Sequence, residues 1–159
     1  MVAALYPGTF DPVTNGHLDI IERACRVFDR VYVTLFPHPE KSFLFTVEER
    51  LEMLRQVTAP FPNVEADSYS GLVVDYARER GIRVLIRGLR AVSDFEAEFQ
   101  MAQMNMHLNP GLETFFMMTR PENAYLSSSI VKTVARFGGS LAGLVPPVVE
   151  KRLRERFRS

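Results

Sequence analysis

Val31-Tyr32-Val33-Thr34-Leu35-Phe36 is the stretch that decides the fold. It is rich in β-branched and aromatic residues, it is short, and its apolar character is almost continuous, so it reads as a strand buried on both faces. Such a strand belongs to a parallel sheet covered by helices on each side, and the sequence around it agrees. Five runs of this kind, Val2-Tyr6, Arg30-Phe36, Asn63-Asp67, Arg83-Arg87 and Leu112-Met118, are each bounded by Gly, Pro, Asn or Asp. Helical patterns fill the gaps at Thr14-Phe28, Val47-Val57, Leu72-Arg80 and Ser93-Leu108, and Ser128-Phe137 and Pro147-Arg156 close the chain. Thr46 followed by Glu49 reads as a capping box, Gly81 and Gly138 as C-terminal stops, and Pro146-Pro147 as a helix entry. Strand–helix alternation without repeats or linker-like tracts implies an α/β fold, a doubly wound five-stranded parallel sheet with helices on both faces, with residues 1–159 as a single domain.

The composition excludes several classes of protein. Nineteen Lys and Arg balance nineteen Asp and Glu, so no overall field would hold a long nucleic acid. The charge is unevenly spread, however: −1 over residues 1–90, −4 over 91–119 and +5 over 120–159. A hydrophobic share of 47% with 24% charged residues suits a globular domain. The apolar stretches fall far short of the roughly 20 residues that span a bilayer. The start, Met1-Val2-Ala3-Ala4-Leu5-Tyr6, lacks the basic region of a signal peptide, and the reading is a cytoplasmic protein with no membrane partner. Cys25 is the lone cysteine, which excludes an internal disulfide and a cysteine-built zinc site, and it reads as packing on the first helix.

In doubly wound folds ligands lie beyond the carboxyl ends of the strands. The segments after the first, second, fourth and fifth strands are the richest in Gly, Arg, Lys, His and Ser. The first is Tyr6-Pro7-Gly8-Thr9-Phe10-Asp11-Pro12-Val13-Thr14-Asn15-Gly16-His17. Gly8 would let backbone approach a ligand, and Gly16 and His17 fall in a helical first turn, where free N–H groups and the dipole attract anions. Two readings stand side by side: a phosphate-binding turn with His17 as donor, or a tight turn with His17 as a helix cap. Neither G-x-G-x-x-G nor a Gly-Lys-Ser/Thr ending is present. The second segment, Pro37-His38-Pro39-Glu40-Lys41-Ser42, carries one lysine, for which surface exposure is the plain alternative. Ile86-Arg87-Gly88-Leu89-Arg90 sets two planar guanidinium forks around a glycine, a pattern suited to phosphate oxygens. Ser127-Ser128-Ser129 opens an apolar helix, and three serines exceed what one N-cap uses.

This is a set of donors and cations without a base or protein nucleophile. No Ser/His/acid arrangement is evident, and His17, His38 and His107 have no metal-ligand spacing, so no protein-held metal is assigned. The chemistry that fits is phosphoryl or nucleotidyl transfer, in which positioning and charge stabilisation carry the catalysis.

The motifs Gly8-Thr9-Phe10-Asp11-Pro12, Thr14-Asn15-Gly16-His17, Ile86-Arg87-Gly88-Leu89-Arg90-Ala91-Val92-Ser93-Asp94-Phe95-Glu96 and Ser127-Ser128-Ser129 closely resemble those of the bacterial phosphopantetheine adenylyltransferase family. That family lies within the nucleotidylyltransferase superfamily with the T/H-x-G-H motif, and the resemblance runs from the first strand to Pro146-Pro147. It implies a Rossmann-like fold and a homohexamer. The implied reaction is transfer of AMP from ATP to 4'-phosphopantetheine, giving dephospho-coenzyme A and pyrophosphate in coenzyme A biosynthesis, by direct in-line attack without a covalent enzyme intermediate. The resemblance implies that His17 binds the α-phosphate and stabilises the transition state, with Lys41 and Arg90 as further catalytic residues. It puts Thr9, Lys41, Val73 and Arg87 at the acceptor. It puts Thr9, Phe10, His17, Gly88, Leu89, Arg90, Glu98, Asn123, Ala124, Tyr125, Leu126, Ser127, Ser128 and Ser129 at ATP. Mg²⁺ is implied as a cofactor held mainly through ATP phosphates, and coenzyme A as a feedback inhibitor. Ala97, His38-Pro39-Glu40 and Thr133 depart from the common family pattern. Two rival readings remain, a related transferase acting on nicotinamide mononucleotide or another phosphorylated acceptor, and a catalytically silent nucleotide sensor.

Two further patterns concern surfaces. Phe95, Phe99, Ala102 and Met106 form one apolar stripe on the fourth helix, and Met101, Met104 and Leu108 form another, more than one sheet face needs; an interface or a wide packed face would absorb them. Lys151, Arg152, Arg154, Arg156 and Arg158, interspersed with Glu150 and Glu155, read as a solvated helix end and not as a nucleic-acid patch.

Overall fold

The computed structural model describes residues 1–39, 42–90 and 92–158, with the side chains of residues 92–94 left aside. Five strands, β1 (Ala3–Gly8), β2 (Arg30–Leu35), β3 (Val64–Ser68), β4 (Val84–Leu89) and β5 (Glu113–Met118), form one sheet in the order β3-β2-β1-β4-β5. Every pairing is parallel, with Leu5 opposite both Tyr32 and Leu85. The helices are α1 (Asn15–Val27), α2 (Val47–Thr58), α3 (Val73–Glu79), α4 (Val92–Leu108), α5 (Ser128–Arg136) and α6 (Pro147–Phe157).

The two-residue period of the strands sorts their side chains into two cores. Ala4, Tyr6, Val31, Val33, Leu35, Val84 and Ile86 point to one face and pack with Ile20, Ile21, Met53, Leu54, Val131 and Leu153 of α1, α2, α5 and α6. Leu5 and Leu85 point to the other face and pack with Val74, Tyr76 and Ala77 of α3. This two-sided burial is why Val31–Leu35 lacks clean alternation. Cys25 packs against the larger core, its thiol donating to the Glu22 carbonyl at 3.0 Å.

Local signals set the helix ends. Thr46 and Glu49 form the capping box, at 3.1 Å in each direction. Gly81 at φ 65° and Gly138 at φ 71° end α3 and α5 in the left-handed region, which only glycine enters cheaply. Pro147 opens α6.

Two surface readings change. The arginines of α6 are pinned to neighbouring elements: Arg152 and Arg156 both pair with Glu49 of α2, and Arg154 donates to the Gly139 carbonyl at 2.7 Å. Guanidinium side chains are long enough to reach across to α2, so this helix end is docked and not merely solvated. On α4 the wide-face packing does not occur. Phe95, Phe99, Met101, Met104, Met106 and Leu108 remain exposed, Met101 to 57%, while among the described side chains of α4 it is the polar Asn105 that is buried.

Chain order reverses between β1 and β4: the chain winds outward from β1 through β2 to β3, then returns to add β4 and β5 on the other side. The loops leaving β1 and β4 therefore diverge and open a crevice at the strands' carboxyl ends.

Candidate active site

β1 ends at Gly8, and the next residues turn back over the sheet edge. A Cβ on Gly8 would lie 2.9 Å from the Phe10 ring, so the glycine is required by Phe10 itself and not only by ligand approach. Phe10 adopts φ 46°, a strained conformation for an aromatic residue, costing about 1–3 kcal/mol. Its ring is buried edge-on to Tyr6 at 5.7 Å and His17 at 5.0 Å, contacts that help offset this strain. Burial pushes the Tyr6 hydroxyl up to about 12, so it stays protonated and able to donate.

His17 is the third residue of α1. Thr14 caps the helix by accepting from the His17 N–H, and the Thr14 N–H in turn donates to His17 Nδ1 at 3.0 Å. An imidazole nitrogen that accepts carries no proton, so the neutral ring holds its hydrogen on Nε2. Desolvation, with Arg90 and Arg87 adding repulsion, lowers the imidazole to about 4, and the ring is neutral through the physiological range. The cap reading of His17 is met by Nδ1, and the Nε2–H belongs to a ring that lines the crevice.

Arg87, on β4, is bonded to Glu98 of α4 by two parallel bonds, Nε to Oε2 at 2.8 Å and Nη2 to Oε1 at 2.7 Å. Nη1 also donates to the Pro7 carbonyl at 3.1 Å. Burial alone would lower the guanidinium, but the Glu98 bonds and charge outweigh it and hold it above its usual value. The sequence reading placed Arg87 at the acceptor and Glu98 at ATP; the structure joins them in one ion pair on the cleft wall. Arg90 donates to the Leu126 carbonyl at 3.1 Å, fastening the end of β4 to the loop before α5.

The three serines divide their work. Ser127 caps α5 by accepting from the Ile130 N–H at 3.2 Å, Ser128 donates to the Pro12 carbonyl at 2.8 Å, and Ser129 stands exposed beside them. The N-termini of α1 and α5 therefore both border the crevice, bringing two positive dipole ends together.

The crevice is about 390 Å³, a volume suited to a small ligand. Thr9, Phe10, His17, Arg87, Gly88, Arg90, Glu98, Asn123, Leu126, Ser127, Ser128 and Ser129 all line it, as does Ala97. Val73 sits instead at the start of α3 against the second core, and Leu89, Ala124 and Tyr125 are not on the wall. Lys41 and Glu40 lie outside the described residues. Among the described residues of the segment after β2, Pro37, His38, Pro39 and Ser42 are not on the crevice wall. A Cβ on Gly88 would meet Ile20 and Thr119 only at ordinary contact distances, so packing does not demand glycine there; its absence of a side chain keeps the crevice floor open.

Sequence reasoning assigned no role to Asp11 or Arg50. Both are 2% exposed, and both bond the loop after β1 to the chain entering α2. A signal existed for Asp11: a carboxylate in a loop otherwise suited to anions is out of place as a ligand and must have donors of its own.

A doubly wound sheet whose switch-point crevice gathers two helix N-termini, an imidazole N–H, guanidinium groups and serine hydroxyls defines a protein that handles nucleotide phosphates. The cytidylyltransferase-like family matches residues 5–134. A phosphopantetheine adenylyltransferase of Carboxydothermus hydrogenoformans is 56% identical over 158 residues, 99% of this chain and 98% of that protein. A solved structure from Vibrio parahaemolyticus, described as a nicotinate-nucleotide adenylyltransferase, superposes with a TM-score of 0.73 at 15% identity, covering 100% of this chain and 98% of that one, which is a likeness of fold. The chain belongs to the cytidylyltransferase-like family and, within it, to the phosphopantetheine adenylyltransferases.

Proposed function

We propose that this chain, as one nucleotidylyltransferase domain, transfers the adenylyl group of ATP to 4'-phosphopantetheine, releasing dephospho-coenzyme A and pyrophosphate. The observation that carries the reading is the Thr14 N–H to His17 Nδ1 bond, which leaves an Nε2–H donor at the crevice between two helix N-termini. The whole-length relative supports the choice of acceptor.

An oxygen of the acceptor phosphate attacks the α-phosphorus of ATP, a P–O bond forms on one side, and the bond to the bridging oxygen of pyrophosphate breaks on the other. A phosphate monoester, with its second pKa near ~6, is mostly dianionic at neutral pH, so no general base is required. The obstacle is the charge that builds on the α-phosphate oxygens as two anions meet. His17 Nε2–H donates to those oxygens, and the α1 N-terminus adds its dipole. Lys41 and Arg87 take the acceptor phosphate, with Val73 beside the acceptor and Thr9 between the two ligands. Arg90, Asn123 and the serines hold ATP, with Phe10, Gly88, Leu89, Glu98, Ala124, Tyr125 and Leu126 as its surroundings.

Mg²⁺ is proposed as the cofactor. Among the described residues no group of three or more His, Cys, Asp or Glu could hold a metal, and the crevice carboxylate Glu98 is already bonded to Arg87. That donor set fits an ion carried on ATP phosphates, with Ser and Thr hydroxyls as neighbours. Bound so, the ion would neutralise charge on the leaving pyrophosphate.

The exposed apolar residues of α4 support assembly with further copies, and we propose a homohexamer in the cytoplasm, with coenzyme A inhibiting at the same crevice. Among the described residues no helix is long and apolar enough to cross a membrane. The reaction is tested by mixing the protein with ATP, Mg²⁺ and a panel of 4'-phosphopantetheine, nicotinamide mononucleotide and nicotinate mononucleotide while following pyrophosphate. Release with phosphopantetheine alone is the expected result; turnover only with a mononucleotide overturns the assignment.

A further inference from the structure

Tyr6, near the end of β1, packs on the side of the larger core and lines the crevice although only 6% of it is exposed. Its ring centroid lies 5.7 Å from that of Phe10 and 6.4 Å from that of His17. Phenylalanine would make the same ring contacts, so packing accounts for the ring and not for the hydroxyl.

Tyr76, fully buried in the second core, shows what a hydroxyl serving the fold looks like: it donates to Asp67 at 3.0 Å. The Tyr6 hydroxyl has no such partner among the described residues. It is not sealed in either, because the sealed and partnerless side-chain atoms among those residues are Arg23 Nε and Thr34 Oγ1. The Tyr6 oxygen therefore opens on the crevice that the residue lines. A buried polar group without a partner costs stability, and a cleft-facing one is matched when a ligand arrives.

The surrounding charges point to the kind of ligand group. Arg87 acts on the hydroxyl most strongly and Arg90 next, ahead of the carboxylates of Glu98 and Asp19. Arg87 is held by two bonds to Glu98 and one to the carbonyl of Pro7, the residue after Tyr6, which leaves two of its five N–H groups for a ligand. Burial keeps the phenol protonated, at about 12. A neutral O–H donor beside a guanidinium edge suits a phosphate oxygen.

We infer that the Tyr6 hydroxyl is a further substrate-binding donor of the reaction, hydrogen-bonded to a peripheral oxygen of the acceptor phosphate alongside Arg87. The inference rests on the proposed place of Arg87 at the acceptor. It gives the crevice a neutral donor that holds the acceptor phosphate without adding another buried charge.

Tyr6→Phe, which removes one oxygen and keeps the ring, is the test. The KM for 4'-phosphopantetheine should rise about tenfold, as for a lost bond to a charged group, while the KM for ATP changes less than about threefold. Calorimetric titration of 4'-phosphopantetheine should show the same loss without turnover. The Tm of the variant should equal or exceed that of wild type, because the oxygen removed has no protein partner to lose. A lower Tm with both KM values unchanged would assign the hydroxyl to the fold and overturn the inference. An unchanged acceptor KM, or a rise shared equally by both substrates, overturns it as well. Arg87→Lys keeps the charge and loses the fork, and should also raise the acceptor KM. If that KM stays unchanged, the acceptor-site reading of Arg87 fails, a result distinct from any failure of Tyr6→Phe.

Discussion

Replacing His17 separates its two bonds, because substitutions exist that keep one and lose the other. His17→Ala removes both the capping acceptor and the Nε2–H donor. Loss of an N-terminal cap costs typically about 1 kcal/mol, which for a chain of this size lowers Tm by about 2–4 °C. Loss of one preorganised donor to a developing oxyanion costs roughly 2.7–4 kcal/mol, or about 10²–10³ in kcat. His17→Glu restores the box, since Thr followed three residues later by Glu is the commonest form of it, but offers a carboxylate where the donor was. Thermal melting should therefore rank wild type and His17→Glu together above His17→Ala. Turnover, followed by pyrophosphate release at saturating substrates, should rank His17→Glu at or below His17→Ala, both about 10²-fold or more below wild type. Calorimetric ATP affinity of His17→Ala should fall far less than its kcat. Recovery of kcat in His17→Glu in step with Tm would show that the alanine variant failed for want of a cap, and the donor role would be refuted.

The pH behaviour follows from the same geometry. A histidine lowered to about 4 in the fold, against an ordinary value near 6.5, binds its proton more readily unfolded; its contribution to stability is complete above about 6.5 and is lost as pH falls toward 4. Imidazole NMR should show no titration of His17 between pH 5 and 8, and a midpoint near 6.5 would contradict the assigned environment. Gly88→Ala should fold with Tm within about 2 °C of wild type, since the new methyl meets only ordinary contacts, yet weaken ATP by about tenfold by occupying the crevice floor; a large Tm loss with unchanged ATP affinity would reverse that account. Met104→Glu on α4 should shift the protein to smaller assemblies in light scattering with the monomer still folded, and an unchanged mass would move the interface elsewhere.

What the sequence made legible was local. Thr46 with Glu49, Gly81, Gly138 and Pro147 fix helix ends through bonds or backbone preferences within four residues, and their element boundaries fall within a residue or two of those observed. The crevice was legible as well, because the strand-end rule depends only on recognising strands, and the loops after β1, β4 and β5 do meet there. What stayed hidden depends on tertiary reach. The Arg87–Glu98 pair requires the approach of α4 to β4; the Asp11 bonds span 33, 34 and 121 residues; and the α6 arginines find Glu49 across more than 100 residues.

Glu49 shows why these two kinds of information do not compete. One of its oxygens completes the local capping box that the sequence announces, and the other receives Arg152 and Arg156 from a helix that no short-range pattern could place. On the proposed reading His17 repeats the division within one ring, Nδ1 satisfying the helix and Nε2 serving the ligand. The cap that the sequence left as one alternative takes up Nδ1 alone, so the proposed donor role falls to the other nitrogen of the same imidazole. Capping is what orients the donor: a ring held by the Thr14 N–H cannot rotate its Nε2–H out of the crevice without breaking the bond that starts α1.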